Sequence, residues 1–187
     1  MLSLSPALAF ALATIGPPTV SVDCSFDHQA LLALDYRLFD QDKQGGWRAL
    51  ADKGCDKEAA DLIRDWREYH KNSDYILFWH EGQSRAFSGD YDAAIGLFEK
   101  SRRPIGEDRI GWNYYVDGSV AFLKGDLSKL KVDRESLARV PKPSDWDAMR
   151  GADGKLLHAT WPVNLNVLDG LMRCWGKRYR DAYGCPS

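Results

Sequence analysis

Apolar residues recur along this chain at helical spacing, in short bursts punctuated by glycine. Tyr75, Phe78, Trp79, Gly82 and Ala86 fall at i, i+3, i+4, i+7 and i+11, one stripe of a 3.6-residue helix. Gly89 follows and is suited to end that helix, because glycine takes positive φ without a Cβ clash. Asp90 can cap the next helix by accepting from an orphan N–H, and Tyr91, Ala94, Ile95 and Phe98 form its stripe. Two amphipathic helices joined by so short a turn pack antiparallel. The small Gly82, Ala86 and Ala94 let their backbones approach.

The same punctuation extends on both sides of this hairpin. Leu31, Leu34 and Leu38 predict a first helix over about residues 27–39, ending in the polar loop DQDKQGG. A short helix from about Gly46 carries Trp47 and Leu50. Asp56 opens a third with Ala59, Ile63, Trp66 and His70 on one face. Beyond the central pair, Gly106 and Asp108 close a loop before a helix that aligns Trp112, Tyr115 and Ser119. Gly125-Asp126 then turns the chain into a charged helix with Leu127, Leu130 and Leu137. Gly54, Gly89 and Gly125 stand 35 and 36 residues apart, and Gly82-x6-Gly89-Asp90-Tyr91 recurs as Gly118-x6-Gly125-Asp126-Leu127. A helix–turn–helix unit at this period is a repeat signal, and such units stack because none buries its apolar face alone.

The central unit resembles the tetratricopeptide repeat family at Phe78, Gly82, Ala86, Gly89, Tyr91, Ala94 and Phe98. The unit before it matches at Gly54, Ala59 and Ile63, and the unit after it at Gly118, Gly125 and Leu127, with Arg134 at the second helix's aromatic position. The units run over about 44–71, 73–102 and 109–138, with the best match at 75–102. The resemblance implies an all-α fold of antiparallel helix hairpins stacked as a short right-handed superhelix. It also implies a concave face built from each pair's first helix, and a protein- or peptide-binding role without catalysis. On that register Ile76, Trp79, Gln83, Trp112, Tyr115 and Ser119 line the groove, where the aromatics could anchor a peptide. The family's basic clamp for a terminal carboxylate is missing at these positions. The competing reading is that the terminal helices fill the groove, leaving these residues as core.

Past Arg139 the repeat pattern stops. Residues 139–160 read as a Pro-, Gly- and Asp-rich loop, with a helical turn after Ser144 whose partner Asp147 fits a capping pair, and a turn at Asp153-Gly154. Trp161, Leu165, Leu168, Met172, Trp175 and Tyr179 then predict one long helix over 161–183, capping the open end of the stack.

Composition fits one compact domain over residues 22–187: the chain has 187 residues, 44% hydrophobic. A net charge of -2 gives no electrostatic reason to expect nucleic acid or an anionic membrane. No run is long enough for a membrane-spanning helix of about 20 residues. The apolar Leu2–Ile15 stops at Gly16-Pro17-Pro18 and reads as the hydrophobic part of a secretory signal over 1–21, with Thr19-Val20-Ser21 as a small-x-small cleavage site. No Lys or Arg precedes it, and the other reading is a buried N-terminal helix. The four cysteines, Cys24, Cys55, Cys174 and Cys185, form no C-x-x-C pair and suit disulfides, hence a periplasmic or secreted location. Four cysteines allow three connectivities. If 27–39 is a helix and 46–54 returns antiparallel to it, Cys24 and Cys55 lie at the same end. Cys174 and Cys185 are then left. On a straight helix they would stand ~16 Å apart, beyond the ~7 Å reach of a bridge, so their pairing requires the last helix to end near Tyr179 and fold back.

Candidate chemistry is sparse. Asp40-x-Asp42-x-Gln44-Gly45 begins like a calcium loop, but its twelfth position is Ala51, so it reads as a solvated polar turn. His80-Glu81 opens like a zinc-protease helix, but Ser84 stands where the second histidine belongs. His28, His70, His80 and His158 are scattered and read as surface or capping residues. No metal or other cofactor is expected. The resulting reading is an exported binding or scaffold module with a protein or peptide partner. His80, Glu81 and Ser84 lie on nearby faces of one helix, where a hydrolytic site is a minor reading. The alternatives are a small hydrolase-type enzyme with a pocket between the stack and the C-terminal helix, and a structural envelope subunit without a groove.

Overall fold

The computed structural model describes residues 22–150, 154–156 and 159–186. The predicted signal segment, Asp153 of the predicted turn, and His158 lie outside them. Among the described residues the architecture is all-helical: α1 (His28–Leu32), α2 (Arg48–Ala51), α3 (Asp56–Tyr69), α4 (Tyr75–Ser88), α5 (Tyr91–Lys100), α6 (Trp112–Leu123), α7 (Leu127–Ala138), α8 (Leu165–Arg173) and α9 (Tyr179–Tyr183). An isolated bridge joins Arg150 and Leu156. None of the described helices is long and apolar enough to cross a membrane.

Consecutive helices α3, α4 and α5 pack side by side, as do α6 and α7, and the caps follow from sequence. Asp74, Asp90 and Asp126 each accept a backbone N–H in the first turn of α4, α5 and α7. Gly89 ends α4 with φ 91°, the left-handed conformation that the Gly89-Asp90 turn needs. Gly82 faces Phe98 so closely that a Cβ would sit 2.7 Å from its Cδ1, so α4 and α5 touch backbone to ring.

The N-terminal region departs from the predicted helix over 27–39. After α1 the chain turns, then winds once as a π-helical turn, Arg37–Gln41, which buries Phe39 and Asp40. Phe39 stacks on Trp66 of α3 at 4.5 Å between ring centroids, and Trp66 donates its indole N–H to the Leu34 carbonyl at 3.0 Å. Tertiary contacts with α3 and α4 override the Leu31–Leu34–Leu38 period.

The long C-terminal helix is likewise corrected. Asn164 has φ 64°, so α8 starts only at Leu165; it ends at Arg173, and Gly176 (φ 83°) lies in the break before α9. The fold-back thus occurs before Tyr179 rather than after it. The predicted capping pair at Ser144 is not the one formed: Asp145 precedes the 3₁₀ turn Trp146–Ala148, while Asp147 binds Lys142. Arg134, the residue at the aromatic repeat position, reaches α8 and donates to Asp169 at 2.7 Å.

Two disulfides tie the ends of the chain. Cys24 joins Cys55 at a Cα separation of 5.6 Å, and Cys174 joins Cys185 at 6.1 Å. The chain-entropy relation puts closure of such loops at about 3–4 kcal/mol for the longer and about 3 kcal/mol for the shorter.

Two turn glycines make a testable contrast. A Cβ at Gly46 (φ 54°) would sit 2.0 Å from the Phe39 carbonyl oxygen, a backbone atom, whereas one at Gly89 would meet nothing within 4 Å. Thermal or urea unfolding should show Gly89→Ala losing about 1 kcal/mol, from φ alone, and Gly46→Ala losing more than about 3 kcal/mol.

Candidate binding surface

The predicted groove is filled. Trp79 stacks on Phe98 at 4.2 Å and packs against Tyr115 at 4.5 Å and Trp112 at 5.1 Å. Trp79, Trp112, Tyr115 and Ser119 are all buried, Ser119 completely. Leu168 and Leu171 of α8 and Tyr179 of α9 belong to the same core. Tyr179 lies within 6.1 Å of Phe87, Phe98 and Phe122, one ring from each of α4, α5 and α6. Its backbone N–H donates to the Tyr91 hydroxyl at 3.1 Å. Burial pushes the Tyr115 and Tyr179 phenols well above their ordinary range. These four residues are therefore core, and the expectation of an open aromatic groove is corrected. Ile76 and Gln83 stay half-buried at its margin, with Ile76 touching both hydrophobic clusters.

The polar loop before Trp47 hides a second feature. Asp40, read from sequence as part of a solvated turn, is fully buried. Its Oδ1 accepts from the Trp47 indole at 3.0 Å and from His80 Nδ1 at 2.7 Å, and its Oδ2 accepts from Gln41 at 2.6 Å. Arg48 closes the set, donating to the Asp40 backbone carbonyl at 3.0 Å. Burial pushes this carboxyl up, but the hydrogen bond and charge of His80, with Trp47 and Arg48, outweigh it and hold the group below its ordinary value. An ionised carboxylate only accepts, so His80 Nδ1 carries the proton of that bond.

The other described histidines do similar work. His28 of α1 meets Asp65 of α3 at 3.0 Å, and His70 meets the Leu32 carbonyl at 2.8 Å. All three join residues 22–47 to α3 and α4; His70 is exposed and is the C-cap of α3, as its reading as a surface or capping residue has it, whereas His80 is drawn into the buried Asp40 cluster. Glu81, the neighbour of His80, is buried and paired with Arg67, whose guanidinium stands 4.0 Å from the Phe78 ring centre. Ser84 is buried on the same helix. His80 and Glu81 are thus paired with separate partners, Asp40 and Arg67, and not with each other or with Ser84.

A different surface is left open. The connection between α5 and α6 is long, polar and pinned at many points. Asn113 exchanges two hydrogen bonds with the Arg103 backbone, at 3.0 and 2.9 Å. The Asp108 carboxylate accepts from the Trp112 and Asn113 N–H groups, both at 2.8 Å. Arg102 binds Asp117 at 2.6 Å, and the Trp112 indole donates to the Ser101 carbonyl at 2.8 Å. Held this way, the loop presents Ile105 with its side chain entirely in solvent, at 102% relative exposure. Ile105 borders a cleft of about 600 Å³, whose walls include half-exposed Tyr114, Val140 and Pro141. Sequence reading passed over Ile105 because it belongs to no helical stripe. The usable signal is an isolated large apolar residue inside Pro104-Ile105-Gly106.

No family model, curated protein or solved structure matches this chain.

Two stability measurements test these assignments. Trp79→Ala should destabilise the protein by about 3–5 kcal/mol, as expected for truncating a buried indole; a change under about 1 kcal/mol would mean the row is open after all. Asp40 contributes stability that is present above about pH 4 and lost as pH falls through its lowered native value. Asp40→Asn should therefore unfold at a lower temperature at neutral pH and show a shallower loss of Tm on acidification than the parent.

Proposed function

We propose that this chain is an exported, TPR-like scaffold module that binds a protein or peptide partner and carries no reaction of its own. It engages that partner through the α5–α6 loop rather than the inner aromatic row. The observation that carries the reading is Ile105: a wholly exposed branched side chain, on a loop fixed by at least six hydrogen bonds, beside a cleft of mixed apolar and polar lining. A preorganised apolar anchor next to a partly exposed tyrosine is how protein interfaces concentrate binding energy. Two disulfides suit an oxidising compartment, periplasmic or extracellular, and the apolar Leu2–Ile15 segment supports export.

The filled inner face favours a second reading, a structural subunit of an envelope assembly. That reading predicts a fixed-stoichiometry complex that survives size-exclusion chromatography, where a transient binder elutes alone.

Ile105→Asp separates the surface from the fold. Its exposure predicts a stability change within about 0.5 kcal/mol. Affinity capture from the native envelope should recover a partner with the parent chain and lose it with Ile105→Asp. Recovery of the same partner by both, or of none by the parent, would overturn the proposal.

A further inference from the structure

A second cavity, of about 400 Å³, is lined in part by the α5–α6 loop. Its walls come from three places in the chain: Tyr75 at the start of α4, Ile110 before α6, and Trp146, Met149, Ala159 and Val163 from the connection to α8. Its size is that of a small-molecule site, and its walls are mainly apolar and aromatic. Three charged side chains line it: Arg103, Glu107 and Arg109.

Those charges are not equivalent. Arg109 is neutralised by Asp145, at 2.6 Å. Arg103 is half-buried, and its guanidinium stands 5.2 Å from the centre of the Tyr75 ring. Among the described residues it makes no ion pair, although its own backbone is fixed by Asn113. Glu107, which is exposed, likewise has no cationic partner among the described residues. The cavity thus offers an apolar interior with one half-buried cation and one exposed anion, neither in an ion pair among the described residues. A simple apolar anion would satisfy Arg103 but face Glu107, and a simple apolar cation would do the reverse. Half-buried Arg103 repels a like charge more strongly than it would in water. A ligand that complements the whole set carries both signs on a small head and an apolar body.

We propose that this cavity is a binding site for a free apolar α-amino acid, with the carboxylate on Arg103, the ammonium on Glu107 and the side chain among Tyr75, Trp146 and Met149. The two aromatic walls favour an aromatic or large aliphatic side chain. The site is separate from the surface that carries Ile105 and does not depend on a protein partner.

Isothermal titration calorimetry on the purified full chain tests this with three probes that share one ring: L-phenylalanine, 3-phenylpropanoate and 2-phenylethylamine. L-phenylalanine should bind at least about 10-fold more tightly than either truncated probe, which corresponds to about 1.4 kcal/mol. Arg103→Gln should bring its affinity down to that of 2-phenylethylamine, and Glu107→Gln to that of 3-phenylpropanoate. Ala159→Leu, which fills the cavity, should abolish binding of all three. Both charge variants remove side chains without ion partners, so the melting temperature should stay within a few degrees of the parent. Should one variant fail to fold, the other charge arm and the three-probe comparison on the parent still decide. No heat from L-phenylalanine at millimolar concentration, equal affinity for the three probes, or unchanged binding in the charge variants would each overturn the proposal.

Discussion

Helix α4 has to bury two faces at once, and the rest of the molecule is arranged around that demand. Leu77 belongs to the core formed with residues 24–66, while Trp79, Ala86 and the flanking Tyr75 belong to the larger core shared with α5 to α9. A helix apolar on every side would suit any neighbour equally. Here the polar positions between the faces are matched instead. His80 meets Asp40, Glu81 meets Arg67, and Arg85 meets Asp61 at 2.6 Å. Such pairs add little net stability over apolar residues, but leaving one partner alone in the interior is costly, so they penalise every wrong register. On α4 the apolar faces drive association and the charged ones select which helix goes where.

The second determinant is the pair α8–α9. The core formed by α4 to α7 is completed by residues of α8 and α9. Tyr179 is placed where three helices meet, and its position is fixed by a backbone bond to Tyr91 and by the sharp break after Arg173. The charged pair Asp56–Arg180 then ties α9 back to the start of α3. Burial raises the Asp56 carboxyl by more than Arg180 lowers it, so this contact orients α9 more than it stabilises it. Trp79, Trp112 and Tyr115 are part of that core, while Ile105 on the α5–α6 loop is exposed.

What could be read from sequence follows the range of the interactions involved. The α4–α5 and α6–α7 hairpins were legible because a cap, a turn glycine and an apolar stripe all act within one or two turns of helix. The disulfide pairing was argued from two helices, one of which does not exist as drawn; the pairing nonetheless agrees, because the chain still returns Cys55 to Cys24 through α2. Asp40 was misread because its neighbours are polar, and the donors that make it a buried hub include His80, forty residues away. The aromatic row is equally compatible with groove and core in the sequence, since the residues that close over it, Leu168, Leu171 and Tyr179, are distant along the chain. The split of the last helix was signalled weakly by Gly176, a residue that the regular recurrence of Trp161 to Tyr179 outvoted.

The closed covalent loops at both ends have a further consequence. A protease that cuts once between Cys24 and Cys55, or once between Cys174 and Cys185, releases no fragment, because each severed strand stays tethered through sulfur. Both segments are short-helical and partly exposed, the places where nicking would otherwise begin. Their severed ends also remain seated on the body by His28, His70 and the Asp56–Arg180 contact. In a hydrolytic surrounding, the chain is thus built to survive a nick at either terminus with its central hairpins, and the surfaces they carry, still in place.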